Sequence, residues 1–258
     1  MGFPGEMGSS VAGARVQATV RLIDVLPTLL DYLDLEGAEK AFRRILEGTD
    51  PPLGVYHWYS QILAYTGRRR ESVSLAREAL ALDSLDRRSK VVLALHLANH
   101  QGKNEESLRL YEELESEWPD PVDFLQLKSV GYEAMGLVDE AVSMYRQLLQ
   151  DPVVRGSPYS LGYIGGALGR AGYKDEAAEI LNELIERREA GELVGPMDLA
   201  WVYIGLDQHE QALDCLEQAY AERHFALPYM NSYMFEDLRG NPRFEELRRS
   251  VFGKYAVG

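Results

Sequence analysis

Apolar and aromatic side chains crowd the stretch from Tyr56 to Ala64 and stop at Thr66-Gly67. Charged residues, Arg68 to Glu71, then open a second stretch with a sparser pattern. Dense and sparse segments of helix length go on alternating along the chain. In the sparse kind the apolar positions recur at helical spacing, as in Ala141, Val142, Met144, Tyr145, Leu148 and Leu149, which predicts an amphipathic helix with one buried stripe. β-branched residues are scattered and do not alternate, so the pattern predicts no strand. The expected fold class is all-α.

The alternation is a repeat. Gly67-Arg-Arg-Arg-Glu-Ser72 returns as Gly102-Lys-Asn-Glu-Glu-Ser107, Gly136-Leu-Val-Asp-Glu-Ala141 and Gly172-Tyr-Lys-Asp-Glu-Ala177, and Asp207-Gln-His-Glu-Gln-Ala212 follows with the glycine replaced. With Ala38 the small residues form a series, Ala38, Ser72, Ser107, Ala141, Ala177 and Ala212, spaced 34, 35, 34, 36 and 35 apart. A fixed period of this length is the mark of a stacked-repeat architecture. Each copy has the same content. A helix ends on a glycine able to take the left-handed conformation, and polar or acidic residues open its partner, where negative charge suits the helix N-terminus. The small residue lets the two helices approach. A residue four positions on fills the groove between them: Phe42, Ala76, Tyr111, Tyr145, Leu181 and Leu216. Asp50-Pro51, Asp83-Ser84, Trp118-Pro119 and Asp151-Pro152 mark turns between copies.

On these residues the chain resembles the tetratricopeptide repeat family, whose unit is a 34-residue antiparallel helix pair, from about Arg15 to Phe252. Glu36-Gly-Ala-Glu-Lys-Ala-Phe-Arg-Arg-Ile45, Tyr56-His-Trp-Tyr-Ser60 and Asp237-Leu-Arg-Gly-Asn-Pro-Arg-Phe-Glu-Glu-Leu247 are similar to the repeat region at the C-terminal end of bacterial winged-helix regulators, adenylate cyclases and Ser/Thr kinases. The resemblance implies a right-handed α-α superhelix of about six helix pairs that serves as an interaction or sensory module. Residues 1–14, rich in glycine and serine, read as a flexible tail or linker remnant, 15–227 as the superhelix and 228–258 as a C-terminal cap, with a short helix from Asn241-Pro242 to Phe252. The family pattern is broken in the first copy, where Leu33-Asp-Leu-Glu replaces the inter-helix glycine, and in the sixth, whose first helix starts at Pro196.

Charge narrows the partners. The 258 residues carry 41 Asp and Glu against 27 Lys and Arg, a net charge of −14, which opposes direct binding to nucleic acid or anionic lipid. No apolar run is long enough to span a bilayer and no secretory signal opens the chain. A single cysteine, Cys215, excludes an internal disulfide and, set among Ala212, Leu213 and Leu216, reads as a small core residue. Together these features favour a cytoplasmic protein.

Chemistry-bearing motifs are sparse. His96 and His100 have the spacing at which two imidazoles share a metal, but no intervening glutamate or third ligand accompanies them. Gly162, Gly165, Gly166 and Gly169 lack the Gly-Lys-Ser/Thr of a phosphate loop and fit close helix packing instead. Ser60, Ser72 and Ser107 sit where packing needs a small side chain. No cofactor, metal or catalytic site is expected. The acidic run Glu112, Glu113, Glu115, Glu117, Asp120 and Asp123 reads as a solvated helix face, or as a dock for a basic segment; Arg68, Arg69 and Arg70 form a small basic patch.

In the resembled family the first helices line a concave groove that receives a protein or peptide. Carried over position by position, the groove takes His57, Gln61 and Tyr65 from copy two, His96, Asn99 and His100 from copy three, and Gln126, Val130 and Glu133 from copy four. Copy five adds Tyr159 and Arg170, and copy six Met197 and Trp201. The Lys and paired-Asn pattern of carboxylate-clamping members is absent, since His57 and Gln61 stand where it would begin. The resulting expectation is a non-catalytic protein- or peptide-binding scaffold, with homo-dimerisation through the solenoid ends open. The alternative is a regulatory module severed from a bacterial signalling protein. A metal-dependent hydrolase built on His96 and His100 is the third reading.

Overall fold

The computed structural model describes residues 35–99, 104–117 and 121–256, and the proposed 1–14 tail lies outside them. Thirteen α-helices are described: α1 (Leu35–Leu46), α2 (Leu53–Tyr65), α3 (Arg69–Leu82), α4 (Arg87–Ala98), α5 (Asn104–Glu117), α6 (Pro121–Ala134), α7 (Val138–Leu148), the single turn α8 (Pro152–Gly156), α9 (Pro158–Arg170), α10 (Lys174–Glu189), α11 (Pro196–Gly205), α12 (His209–Ala221) and α13 (Pro242–Phe252). Two 3-10 turns, Leu227–Asn231 and Tyr233–Leu238, connect α12 to α13. No strand occurs among the described residues. The helices pack as antiparallel pairs, α2 with α3, α4 with α5, α6 with α7, α9 with α10 and α11 with α12, while α1 packs on α2 as the second helix of the first copy.

Four of the five pairs are joined by the same turn, and the α4–α5 connection, with Gly102, lies outside the described residues. Gly67, Gly136 and Gly172 have φ of 77°, 80° and 92°, and the amide just after each glycine reaches back to form the six-residue closure: Arg68 N–H to Leu63 O (2.8 Å), Leu137 N–H to Tyr132 O (2.9 Å) and Tyr173 N–H to Leu168 O (2.9 Å). The sixth copy keeps that closure, with Gln208 N–H on Tyr203 O at 2.9 Å, and Asp207 holds φ 59° in the glycine's place. The starts of the helices are capped by side chains. Asp86 accepts from Ser89 N–H, Asp151 from Val153 and Val154 N–H, Ser157 from Ser160 N–H and Asn241 from Arg243 N–H.

Packing follows the repeat. Ala38, Ser72, Ser107, Ala141, Ala177 and Ala212 are all buried, as are Phe42, Ala76, Tyr111, Tyr145, Leu181 and Leu216. The closest approach is between α9 and α11. A Cβ added at Gly162 would lie 2.3 Å from Asp198 O, one at Gly166 2.6 Å from Trp201 O and one at Gly169 2.4 Å from Gly205 O. The glycines of α9 are therefore a packing surface for a neighbouring backbone.

The C-terminal segment does more than cover the last repeat. α13 lies on α12, where Arg243 meets Glu210, Asp214 and Glu217 at 2.7–2.9 Å. The 3-10 segment then crosses the inner face to the second copy: Asn231 Nδ2–H donates to Tyr65 O (2.8 Å), and the Tyr65 and Tyr229 rings lie 5.0 Å apart. Beyond α13, Tyr255 O–H donates to Glu39 on α1 (2.5 Å) and Lys254 pairs with Glu36 (3.1 Å). The array thus closes head to tail, and residues 227–238 form a strap across its groove.

Candidate functional site

The first helices of copies two to five and the strap enclose a cavity of about 410 Å³. Eight of the thirteen residues expected on the groove line it: His57, Gln61 and Tyr65 on α2, His96 and Asn99 on α4, Gln126 and Val130 on α6, and Tyr159 on α9. Their placement follows from the repeat. Residues three and four apart on a helix share a face, and the stacking of α2, α4 and α6 brings those faces together. His100 lies outside the described residues.

A hydrogen-bond chain fixes the two histidines. Ser89 O–H donates to the capping carboxylate of Asp86 (2.6 Å), so Ser89 Oγ accepts from His57 Nε2–H (2.8 Å). Ser60 O–H donates to the His57 carbonyl (2.7 Å), so Ser60 Oγ accepts from His96 Nε2–H (3.0 Å). The network assigns the Nε2–H tautomer to both rings. Burial lowers the His96 pKa to about 4, reinforced by His57, and burial lowers that of His57 against the opposing pull of Asp86. Both are neutral at pH 7. They orient the wall of the cavity and carry no charge into it.

Other expected residues are committed to the fold. Glu133 and Arg170 form a part-buried ion pair beside the cavity, with Arg170 Nη2 2.8 Å and Nε 3.0 Å from Glu133 Oε1, while Tyr145 O–H donates to Glu133 Oε2 at 2.7 Å. Met197 and Trp201, expected on the groove surface, have no exposed surface. The Trp201 indole is ringed edge-on by Tyr159 (5.2 Å), Tyr163 (6.0 Å) and Tyr229 (6.0 Å), which correct its assignment from ligand contact to core. Tyr229 brings the strap against one side of the indole, and Tyr159 and Tyr163 of α9 stand against it as well. Among the lining residues that the sequence did not single out for the groove are Trp58, Arg69, Arg88 and the strap's own Asn231, Ser232 and Tyr233. Arg69 had stood out only as part of a basic patch, and the aromatic segment Pro228 to Phe235 only as part of an end cap.

Outside the cavity, no group of three or more His, Cys, Asp or Glu stands where it could hold a metal among the described residues. Burial pushes the Cys215 thiol up to about 11, which keeps it protonated and poorly nucleophilic. The acidic run pairs in part with neighbours, Glu115 with Lys128 (3.1 Å) and Glu117 with Lys90 (3.0 Å). No described helix is long and apolar enough to cross a membrane.

Comparison with known proteins places these features. The tetratricopeptide repeat family profile matches residues 197–222, which span α11 and α12. No curated protein matches the sequence. Among solved structures, a tetratricopeptide repeat protein from Parabacteroides merdae is 19% identical, with a TM-score of 0.47 over 91% of this chain and 92% of that one. The matched unit in α11 and α12 has the same turn, the same buried small residue and the same pairing as the copies before it. Residues 197–222 thus carry a tetratricopeptide repeat match, within an all-α stack of helix pairs.

Proposed function

We propose that this protein is a non-catalytic scaffold that binds a protein or peptide segment on its inner face, along α2, α4 and α6. Tetratricopeptide repeats in general serve as protein-interaction scaffolds, and one observation carries the finer reading. The groove already holds a peptide-like segment, since the strap lies in it through backbone-directed and aromatic contacts, Asn231 on Tyr65 O and Tyr229 against Tyr65 and Trp201. A surface that accommodates one irregular aromatic stretch in cis has the chemistry to accept another in trans. The candidate contacts are His57, Gln61, Asn99, Gln126 and Val130, each partly exposed, with Tyr65 and Tyr159 at the border of the strap.

Site-specific photo-crosslinking tests the reading. A photoreactive phenylalanine at Gln126, in the cavity wall, is expected to trap a discrete protein adduct in cells of the source organism. The same residue at Glu179, exposed on α10, is expected to trap none. Equal adducts from both positions, or adducts from Glu179 alone, would move the interaction off the groove.

A further inference from the structure

We infer that the cavity beneath the strap is a binding site for a small organic anion with a flat aromatic body. The inference goes beyond the scaffold reading and does not depend on it.

The size comes first. About 410 Å³ lies within the range of pockets that hold drug-sized ligands, roughly 300 to 1,000 Å³, and is too small for a helix or a folded loop. Charge supplies the sign. The protein has 41 acidic residues, yet no Asp or Glu is among the residues that line the cavity. Two carboxylates that touch lining residues are occupied elsewhere: Asp86, beside His57, caps α4, and Glu133, beside Tyr163, pairs with Arg170. Arg69 and Arg88 both line the cavity, both are exposed and neither makes an ion pair with a described residue, so two guanidinium groups stand at the rim. In a chain of net charge −14 this is a local inversion of sign, the arrangement that draws an anion past an otherwise repelling surface.

Shape and hydrogen bonding complete the description. Tyr65, Tyr159 and Tyr229 present aromatic surface to the cavity and Trp58 stands half-exposed at its edge. Three buried hydroxyls in the lining, Ser72 Oγ, Ser232 Oγ and Tyr233 Oη, make no hydrogen bond with any described residue. Ser72 is 1% exposed, and an unpaired polar group so deeply placed calls for a partner. A flat anion satisfies all three features: its ring lies against the tyrosines, its charge faces the arginines, and its polar atoms meet the hydroxyls.

The probe for this site is 1-anilinonaphthalene-8-sulfonate, a flat aromatic anion whose fluorescence rises on binding, with the uncharged N-phenyl-1-naphthylamine as its control. One saturable sulfonate site per chain is expected. The double charge reversal Arg69→Glu with Arg88→Glu, at two exposed positions, is expected to weaken the sulfonate at least tenfold and the uncharged probe less than threefold. Gln126→Glu, which sets a negative charge in the opposite wall, is expected to do the same. Unchanged far-ultraviolet circular dichroism and melting temperature keep the comparison to folded protein. In competition, phenyl phosphate or 4-hydroxyphenylacetate is expected to displace the sulfonate, and tyrosol, which lacks the charge, is not; which anion competes better names the acidic group. No saturable binding, equal loss of both probes, or displacement by tyrosol as effective as by the anions overturns the inference. The photo-crosslinking at Gln126 reads a protein adduct and is unaffected by these outcomes.

Discussion

Asp207 occupies a left-handed position that glycine fills in three of the other copies, and a side chain there is held against its steric preference by the closing hydrogen bond of the turn. Asp207→Gly removes that cost at the expense of an exposed pair with Lys174 at 2.7 Å, worth a few tenths of a kcal/mol. Urea denaturation is expected to show a net gain of about 0.5 kcal/mol. His96 makes a second residue-scale test. Its buried ring titrates near 4, below the ordinary value of 6.5, so the unfolded chain binds the proton first as pH falls. The stability due to the neutral ring is complete above pH 6.5 and declines toward pH 4, at up to about 1.4 kcal/mol per pH unit. His96→Gln is expected to be less stable at pH 7.5 and to have a flatter stability profile between pH 6.5 and 4; an unaltered slope would mean that other groups govern acid unfolding. The replaced glycine at 207 was legible in the sequence because the turn around it was. The seating of His96 on Ser60 was not, since that contact joins copies two and three and no local pattern encodes it.

Helix pairing was the most legible level, and the reason is physical: all six copies bury the same small residue and the four described turns share one closure, so weak signals add. The glycines of α9 were read correctly as packing residues, yet their partner could not be named from sequence. It is the backbone of α11, from Asp198 to Gly205, and the contact is tight enough to test. Gly162→Ala and Gly166→Ala would each press a methyl group to within 2.3 and 2.6 Å of a backbone oxygen, where neither helix can yield cheaply. Each is expected to cost about 2 to 3 kcal/mol in chemical denaturation. Gly156→Ala, which meets nothing within 4 Å, is expected to cost less than about 0.5 kcal/mol and serves as the control. The single turn α8, inserted between copies four and five, is the one described helix that the period does not forecast; the Asp151 cap and the prolines at 152 and 158 break the chain into two starts in place of one.

At the scale of the whole molecule the sequence showed a row of pairs and an end cap, and the structure shows a closed circuit. The repeat alone brings Gln61, Asn99 and Gln126 to the cavity wall, whereas Met197 and Trp201, expected there too, are buried. Contacts across 166 and 216 residues leave no periodic trace, so no reading of local pattern could supply them. The closure is testable. Burial alone would raise the pKa of Glu39, but hydrogen bonds from Tyr255, Arg68 and Arg43 overcome it and hold the carboxyl at about 2. Tyr255→Phe is expected to speed hydrogen exchange in α1 and the strap while leaving α5 and α7 unchanged; equal change throughout would show that the contact is not a local latch. In an ordinary solenoid each unit touches only its neighbours, and folding proceeds from local contacts formed at low entropic cost. Here the closing contacts reach back 166 residues from the strap and 216 from Tyr255, a search whose cost grows slowly with length but whose speed depends on it. The repeats can therefore acquire their helices quickly and wait, open and with Trp201 uncovered, until the strap arrives. A refolding experiment should resolve two clocks, helix signal first and tryptophan burial later.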